Sequence, residues 1–303
     1  MSEVRTYHGQ PVLKEPTWTW EIPTYFFTGG LGGAAAGIAY LSELRGDAAA
    51  ARRAWAVALA GLSVSPVLLI SDLGRPARFL NMLRMVKVTS PMSIGSWILS
   101  VSATSVTVAG AHAWLGLFGR LSRVARPLAG LSGLPLASYT GALIANTAIP
   151  AWHEARSTLP FVFTAGAGLT AGAALLLVTP PDEAAIPRRI ALGGAVAELA
   201  LTQLMKQRLG RHRRAYETGA ARRPDQAARL TITAGAGLLA ARGRRRPAAL
   251  AAGGLLLAGA FCTRWSVYRA GFSSAADPAA VVAPQRERID AGQARGAARG
   301  AAR

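Results

Sequence analysis

Cysteine and histidine are scarce in this sequence of 303 residues, and their scarcity excludes several redox centres. The one cysteine, Cys262, cannot form an internal disulfide or supply the four thiolates that an iron–sulfur cluster normally takes. Of the four histidines, only His112 lies clearly inside an apolar segment, whereas a membrane haem b needs paired axial histidines. We therefore expect no haem and no iron–sulfur cluster in this chain, so any redox role must use a diffusible or partner-borne cofactor.

Acidic residues are also few, because 15 Asp and Glu stand against 34 Lys and Arg, for a formal net charge of +19. In a soluble protein such a charge would suggest a nucleic-acid partner. Here the basic residues lie mostly between long apolar blocks, where they act as topology signals and contacts for anionic lipids. We therefore predict contacts with membrane lipids and no binding of nucleic acid. The N-terminus has no apolar core followed by a small-residue cleavage site, so no cleaved signal peptide is expected.

The apolar residues come in blocks of about 17 to 25, the length that crosses roughly 30 Å of hydrocarbon. The predicted fold class is all-α, a polytopic integral membrane helix bundle with about eight transmembrane helices in a domain of residues 1–272. The predicted spans are residues 22–44, 55–70, 92–115, 127–149, 159–179, 190–205, 230–241 and 247–263. Residues 273–303, rich in Ala, Gly and Arg, are expected to form a disordered basic tail. Eight spans place both termini on one side, which holds more Lys and Arg and is therefore predicted to be cytoplasmic.

A charged segment, Ile70–Ser93, separates the second and third spans, and we call it the connector. Gly74 and Pro76 break the incoming helix, because Gly adopts turns easily and Pro disfavours helix before it. Residues 76–87 then alternate apolar and cationic faces, which predicts an amphipathic helix in the headgroup plane. The cationic face offers a docking surface for an electron-carrying partner, although lipid headgroups would explain the same pattern. The docking residues proposed are Arg75, Arg78 and Arg84.

Three glycines of the first span recur every four residues and so share one helix face: Gly29, Gly33 and Gly37. In lipid this spacing lets helix backbones approach closely. We therefore predict that this face packs against another helix.

Four stretches together resemble the NrfD/PsrC family, the membrane subunit of polysulfide reductase-like (molybdopterin oxidoreductase) complexes. They are WTWEIPTYFFTGGLGG at 18–33, SDLGRPARFLNML at 71–83, TSPMSIGSW at 89–97 and SYTGALIAN at 138–146. The resemblance implies an eight-helix, haem-free subunit of the cell (plasma) membrane that oxidises or reduces a quinone, menaquinone or ubiquinone. It also implies electron exchange with an iron–sulfur subunit, which in turn serves a molybdopterin catalytic subunit.

Five polar residues are expected near one membrane face, where they would bind the quinone: Tyr139, Tyr25, Glu21, Asp72 and Asn146. Quinone reduction moves two electrons and two protons, so the site needs an apolar cleft with a few hydrogen-bonding and proton-relaying groups. Tyr139 stands in the motif where the family places a quinone-contacting tyrosine. Tyr25 stands where the family can carry a histidine.

Each of these residues has a structural alternative. Tyr139 could be a packed span residue, Tyr25 an interfacial anchor and Glu21 a cap of the first span. Asp72 could pair with Arg75 or Arg78 to hold the connector, and a structural role is open for Asn146.

Two further ionisable residues are candidates for a proton relay, because an ionisable group inside a membrane is costly to bury. His112 on the third span could instead be a hydrogen-bonded packing residue. Glu198 on the sixth could instead be neutralised by Arg264 or stay protonated.

The function predicted is a quinone- or quinol-reactive membrane anchor that passes electrons between the quinone pool and an iron–sulfur partner. No catalytic residue in the covalent sense and no metal ligand is proposed. Two alternatives stay open: a structural anchor without quinone chemistry, and a proton or solute transporter.

Overall fold

The computed structural model describes residues 12–283 together with 286, 287, 289 and 292, and the regular elements in these residues are helices. In chain order they are α1 (Glu21–Leu44), α2 (Ala48–Asp72), α3 (Ala77–Met82), α4 (Pro91–Leu115), α5 (Gly119–Ala145), α6 (Pro150–His153), α7 (Leu159–Val178), α8 (Ala185–Arg208), α9 (Arg214–Glu217), α10 (Gly219–Arg242) and α11 (Arg246–Ala276), with a 3₁₀ turn (Gly210–Arg213) before α9. All except α3, α6 and α9 have 20 residues or more. The predicted all-α class is confirmed.

Five of the described helices, α2, α4, α5, α7 and α11, are long and apolar enough to cross a membrane. The other three long helices fall below that hydropathy for different reasons. In α1 several glycines contribute little hydropathy, whereas α8 and α10 carry charged residues along their length. The count of eight spans therefore stays a prediction.

Several helices are longer than the apolar runs that predicted them. Helix α2 begins at Ala48, α5 at Gly119 and α10 at Gly219, each well before the predicted start. The apolar runs stop at the first arginines. A helix can continue past them, because a long cationic side chain near a helix end can keep its charged group in water. The helical ends consequently extend beyond the apolar blocks.

The end of the chain also differs from its prediction as a disordered tail beginning at residue 273. Helix α11 continues to Ala276, and residues 278–283 are helical as well. Farther along, Arg211 forms an ion pair with Glu287. Most of the remaining predicted tail lies outside the described residues.

The connector helix is shorter than predicted, since α3 ends at Met82 and not at residue 87. The chain then leaves helical geometry and turns back on the start of α4. There the Met85 carbonyl accepts hydrogen bonds from the Ser93 hydroxyl and the Trp97 indole, both at 3.2 Å. The Lys87 amide, which in a helix through residue 87 would donate to the Leu83 carbonyl, donates instead to the Ser93 hydroxyl oxygen at 3.1 Å. The second half of the predicted helix is therefore wrong.

Helix α1 lies at the centre of the bundle, where it packs against α2, α5, α7 and α11. Its backbone meets that of α5 at Gly33, where an added Cβ would lie 2.7 Å from the Gly133 carbonyl oxygen. Side chains at this crossing would force the two backbones apart. The predicted packing role of the glycine face is therefore confirmed at Gly33.

The start of α1 and the ends of α2, α5 and α11 meet at one end of the bundle, which we call the connector end. There Trp18 stacks on Trp152 with ring centroids 5.4 Å apart. The Tyr268 hydroxyl donates to the Trp18 carbonyl at 2.6 Å. These contacts tie both halves of the chain to residues 12–20 before α1, which we call the lead-in.

Candidate functional site

A pocket with a cavity of about 70 Å³ opens to the surface between α1, α2, α4 and α5 at the connector end. Its walls are mainly apolar and are formed by Trp18, Ile22, Phe26, Leu69, Leu73, Met82, Met92 and Leu143. Its polar lining consists of Tyr25, Asp72, Ser96 and Tyr139. An apolar cleft with few polar groups is the usual form of a small-molecule site, and we call this one the tyrosine pocket.

Two buried phenols form the polar centre of the tyrosine pocket. Tyr25 of α1 is 0% exposed and Tyr139 of α5 is 9% exposed, and their hydroxyls hydrogen-bond to each other. The Tyr139 ring lies against Gly95 of α4, where an added Cβ would overlap it. Each hydroxyl has one proton, and the mutual bond uses one of the two. One O–H of the pair is therefore free to donate to a bound molecule.

Asp72, at the end of α2, lines the mouth of the pocket and holds the lead-in. Its Oδ1 accepts hydrogen bonds from the Thr19 amide at 3.1 Å and the Thr19 hydroxyl at 2.9 Å. Glu21 also contacts that hydroxyl, although it does not line the pocket. The proposed pairing of Asp72 with Arg75 or Arg78 is absent among the described contacts, because Thr19 takes its place.

Asn146 does not join the other four candidates. It is the exposed residue after the end of α5, and its backbone amide donates to the Ala142 carbonyl. It lies at the connector end, where α5 ends. It lies outside the lining of the tyrosine pocket because the lining part of α5 is one turn and more earlier, at Tyr139 and Leu143.

The three arginines proposed for partner docking are exposed on the connector: Arg75, Arg78 and Arg84. Arg78 also donates to the Leu73 carbonyl at 3.0 Å, so it stabilises the end of α2. Exposed apolar side chains lie among them, including Leu80, which is 66% exposed. The connector thus presents both charge and apolar area beside the tyrosine pocket.

His112 lies at the other end of the bundle, far along α4 from the tyrosine pocket. Its Nδ1 is 3.1 Å from the Leu117 carbonyl oxygen, and since a carbonyl can only accept, Nδ1 carries the proton. It lines a separate pocket with Glu43, Trp55 and Arg126. This geometry fits the structural alternative, and its role as a proton relay stays a prediction.

Glu198 is 1% exposed in the middle of α8, and its Oε1 accepts a 2.8 Å hydrogen bond from Arg264 of α11. Arg264 also donates to the Phe163 carbonyl of α7 at 3.1 Å and lies over the Phe163 ring. The proposed neutralisation of Glu198 by Arg264 is therefore present. The second carboxylate oxygen has no hydrogen-bond partner in the described part of the chain. A role for Glu198 in a proton relay stays a prediction.

A second buried ion pair was not predicted from the sequence. Lys206 of α8 and Asp225 of α10 form an ion pair, and Arg229 lies 3.0 Å from the same carboxylate. Beside them Tyr216 is 1% exposed, and burial raises the pKa of its phenol above the ordinary value. All of these residues fall between the predicted spans 190–205 and 230–241, because a segment rich in charged residues resembles a connection between spans. The sequence alone does not show which of its charged side chains are buried.

Ser96 and Trp18 were also missed as pocket residues, although they lie in the family motifs at 89–97 and 18–33. The Ser96 hydroxyl donates to the Met92 carbonyl at 2.8 Å, which leaves its oxygen as an acceptor in the pocket. The Trp18 side chain forms part of one wall of the pocket. Their presence in the same motifs as Tyr25 and Gly95 was the signal that could have found them.

Comparison with known proteins gives one family. The model of the family NrfD_2, described as polysulfide reductase, matches residues 4–276. No curated protein matches the chain. The matched range covers the tyrosine pocket, the connector and the buried ion pairs.

Proposed function

The chain belongs to the NrfD/PsrC polysulfide reductase family, and from this we propose that its tyrosine pocket binds a quinone or quinol of the membrane pool. It is an integral membrane protein and a subunit of polysulfide reductase-type oxidoreductase complexes. In the proposed role it passes electrons between the plasma-membrane quinone pool, of menaquinone or ubiquinone, and an iron–sulfur subunit that serves a molybdopterin subunit.

The observation that carries this proposal is the phenol pair inside an apolar pocket. A quinone supplies two carbonyl oxygens that take up two electrons and two protons. The free O–H of the Tyr25–Tyr139 pair would donate to one carbonyl oxygen, and the apolar walls would exclude water and hold the ring.

Asp72 at the pocket mouth would exchange protons with water. It lies in the connector at the membrane surface, and a carboxylate within reach of both water and a ligand is suited to general acid–base work. Glu21 contacts the same Thr19 hydroxyl and would support Asp72 rather than contact the ligand.

Partner docking at the connector would complete the electron route. The connector forms one border of the tyrosine pocket through Met82 of α3, so a redox centre bound there would lie next to the proposed site. The exposed Arg75 and Arg84 would attract an acidic patch on the iron–sulfur subunit.

Replacing Tyr139 with phenylalanine tests the site. Tyr139→Phe removes one hydroxyl and keeps the ring, and losing such a hydrogen bond costs about 1–3 kcal/mol, or roughly 5- to 150-fold in the step that uses it. We expect quinone-coupled turnover of the complex to fall by that factor while electron transfer to an artificial dye is unchanged. An equal fall with both acceptors would mean that Tyr139 is structural, and unchanged quinone turnover would refute the site.

Two further variants control for the loss of a buried hydroxyl. Tyr216→Phe removes a buried phenol hydroxyl that has no partner among the described residues, so neither turnover should change. The double variant Tyr25→Phe, Tyr139→Phe removes both partners, which is often nearly neutral for stability. It should fold as well as the native chain and still lose quinone-coupled turnover.

A further inference from the structure

A second, strongly basic pocket lies at the end of the bundle opposite the connector. The start of α8 and the turn between α10 and α11 border an open cavity of about 850 Å³. Five arginines line it: Arg188, Arg189, Arg242, Arg244 and Arg245. We call it the arginine pocket, and the proposed quinone chemistry does not use it.

Only one of these arginines has a clear structural task. Arg188 donates to the Pro181 carbonyl at 3.2 Å and to the Gly243 carbonyl at 3.3 Å, and so ties the start of α8 to the α10–α11 turn. The other four have no carboxylate within 4.0 Å among the residues that the structure describes. None of the described lining residues is acidic. Several positive charges around one cavity repel each other, and a bound anion would offset that repulsion.

Apolar residues continue from the arginine pocket along the bundle. Leu192 of α8 lines the pocket one turn from Arg188 and Arg189, and Leu239 of α10 lines it opposite. One turn beyond Leu192, Val196 is 67% exposed on the outside of α8. The surface therefore changes from cationic to apolar in the direction that leads into the bilayer.

We propose that the arginine pocket binds the phosphodiester headgroup of an anionic phospholipid, with an acyl chain along Leu192 and Val196. Guanidinium groups match phosphate oxygens with paired hydrogen bonds, and basic pockets between membrane helices suit anionic headgroups. A free phosphate shares the headgroup chemistry, but it makes no use of the apolar strip. The strip is what favours the lipid.

The test measures binding of dioleoyl phosphatidylglycerol and dioleoyl phosphatidylcholine to the full chain in detergent by native mass spectrometry. Arg189→Gln with Arg244→Gln removes one charge from each wall of the pocket. At about 1 kcal/mol for each cation near an anionic surface, the affinity for phosphatidylglycerol should fall about 30-fold. Binding of phosphatidylcholine should not change.

The matched control is Arg120→Gln with Arg123→Gln, which removes two exposed charges at the same end of the bundle but outside the pocket. This control should keep its affinity for phosphatidylglycerol. Equal losses in the two double variants would overturn the proposal, because general charge would then explain the binding. Displacement of the lipid by inorganic phosphate at equal concentration would also overturn it, because the site would then take a free anion.

Folding is checked by the thermal unfolding midpoint of each variant. If the glutamine variant unfolds, Arg189→Lys with Arg244→Lys keeps the charges, and this variant must still prefer phosphatidylglycerol over phosphatidylcholine. Loss of that preference in a folded lysine variant would count against a charged headgroup site.

Discussion

Gly95 leaves room for the Tyr139 ring because it has no side chain. The ring of Tyr139 occupies the space that a Cβ at residue 95 would need. The Tyr139 hydroxyl can therefore reach Tyr25 because α4 has no side chain at residue 95. The motif that contains Gly95 and Ser96 thus shapes the tyrosine pocket as much as the motif that contains Tyr139.

Gly95→Ala should consequently disturb the site without breaking α4. Inserting a methyl group into a packed contact costs about 1–3 kcal/mol, whereas alanine favours the helix by up to about 1 kcal/mol over glycine. We expect the Tyr139 ring to move away from Tyr25 and quinone-coupled turnover to fall about tenfold or more. Turnover with quinone and with an artificial dye, measured in one preparation, checks this.

The control for this change is Gly168→Ala in α7, where an added Cβ meets nothing within 4 Å. It gains the same helix preference without a clash, so both turnovers should stay at the native level. Equal behaviour of the two alanine variants would mean that Gly95 does not position Tyr139.

The connector shows how a tertiary contact overrides a local pattern. Its amphipathic periodicity favours helix through residue 87, but the Lys87 amide donates to Ser93 and not to the Leu83 carbonyl. Ser93 and Trp97 in turn donate to the Met85 carbonyl and hold this segment against α4. Periodicity along one segment carries no information about donors on another helix. The helix start near Pro76 could be predicted from local chemistry, and its end could not.

Charge reversal tests the connector as a docking element. Arg75→Glu with Arg84→Glu changes two exposed cations and spares Arg78, which stabilises the end of α2. Exposed ion pairs are worth about 0.2–1 kcal/mol each, and reversal adds repulsion, so the iron–sulfur partner should bind about tenfold or more weakly. Retention of that subunit on washed membranes at several salt concentrations measures the effect.

The same number of reversals at Arg120 and Arg123 provides the control, because these residues lie at the opposite end of the bundle. Partner retention there should match the native protein. If the connector variant also retains the partner, its arginines serve lipid headgroups, which was the alternative drawn from the sequence.

At the scale of the whole molecule, the sequence predicted more of the first half than of the second. Apolar blocks predicted all eight long helices, and quoted motifs led to Tyr25, Asp72 and Tyr139 in one pocket. In the second half, the Lys206–Asp225 pair was hidden because α8 and α10 carry many charges, and only the packed structure shows which of them turn inward. The Glu198–Arg264 pair was foreseen as one of two possibilities, since a buried carboxylate needs a counter-charge or a proton.

That last pair connects three helices and should stabilise the whole bundle. Arg264 bonds Glu198 of α8 and the Phe163 carbonyl of α7 from its place on α11. Arg264→Met leaves a buried carboxylate without its partner, which costs about 3–5 kcal/mol, whereas removing both charges together is often nearly neutral. We expect Arg264→Met to lower the free energy of unfolding in mixed micelles by that amount, and the double variant with Glu198→Leu to recover most of it.

Arg53→Met breaks the more exposed pair with Glu183, with side chains 24% and 48% exposed, and should cost no more than about 1 kcal/mol. If the two single variants lose the same stability, or the double variant recovers none, the buried pair does not hold the three helices together.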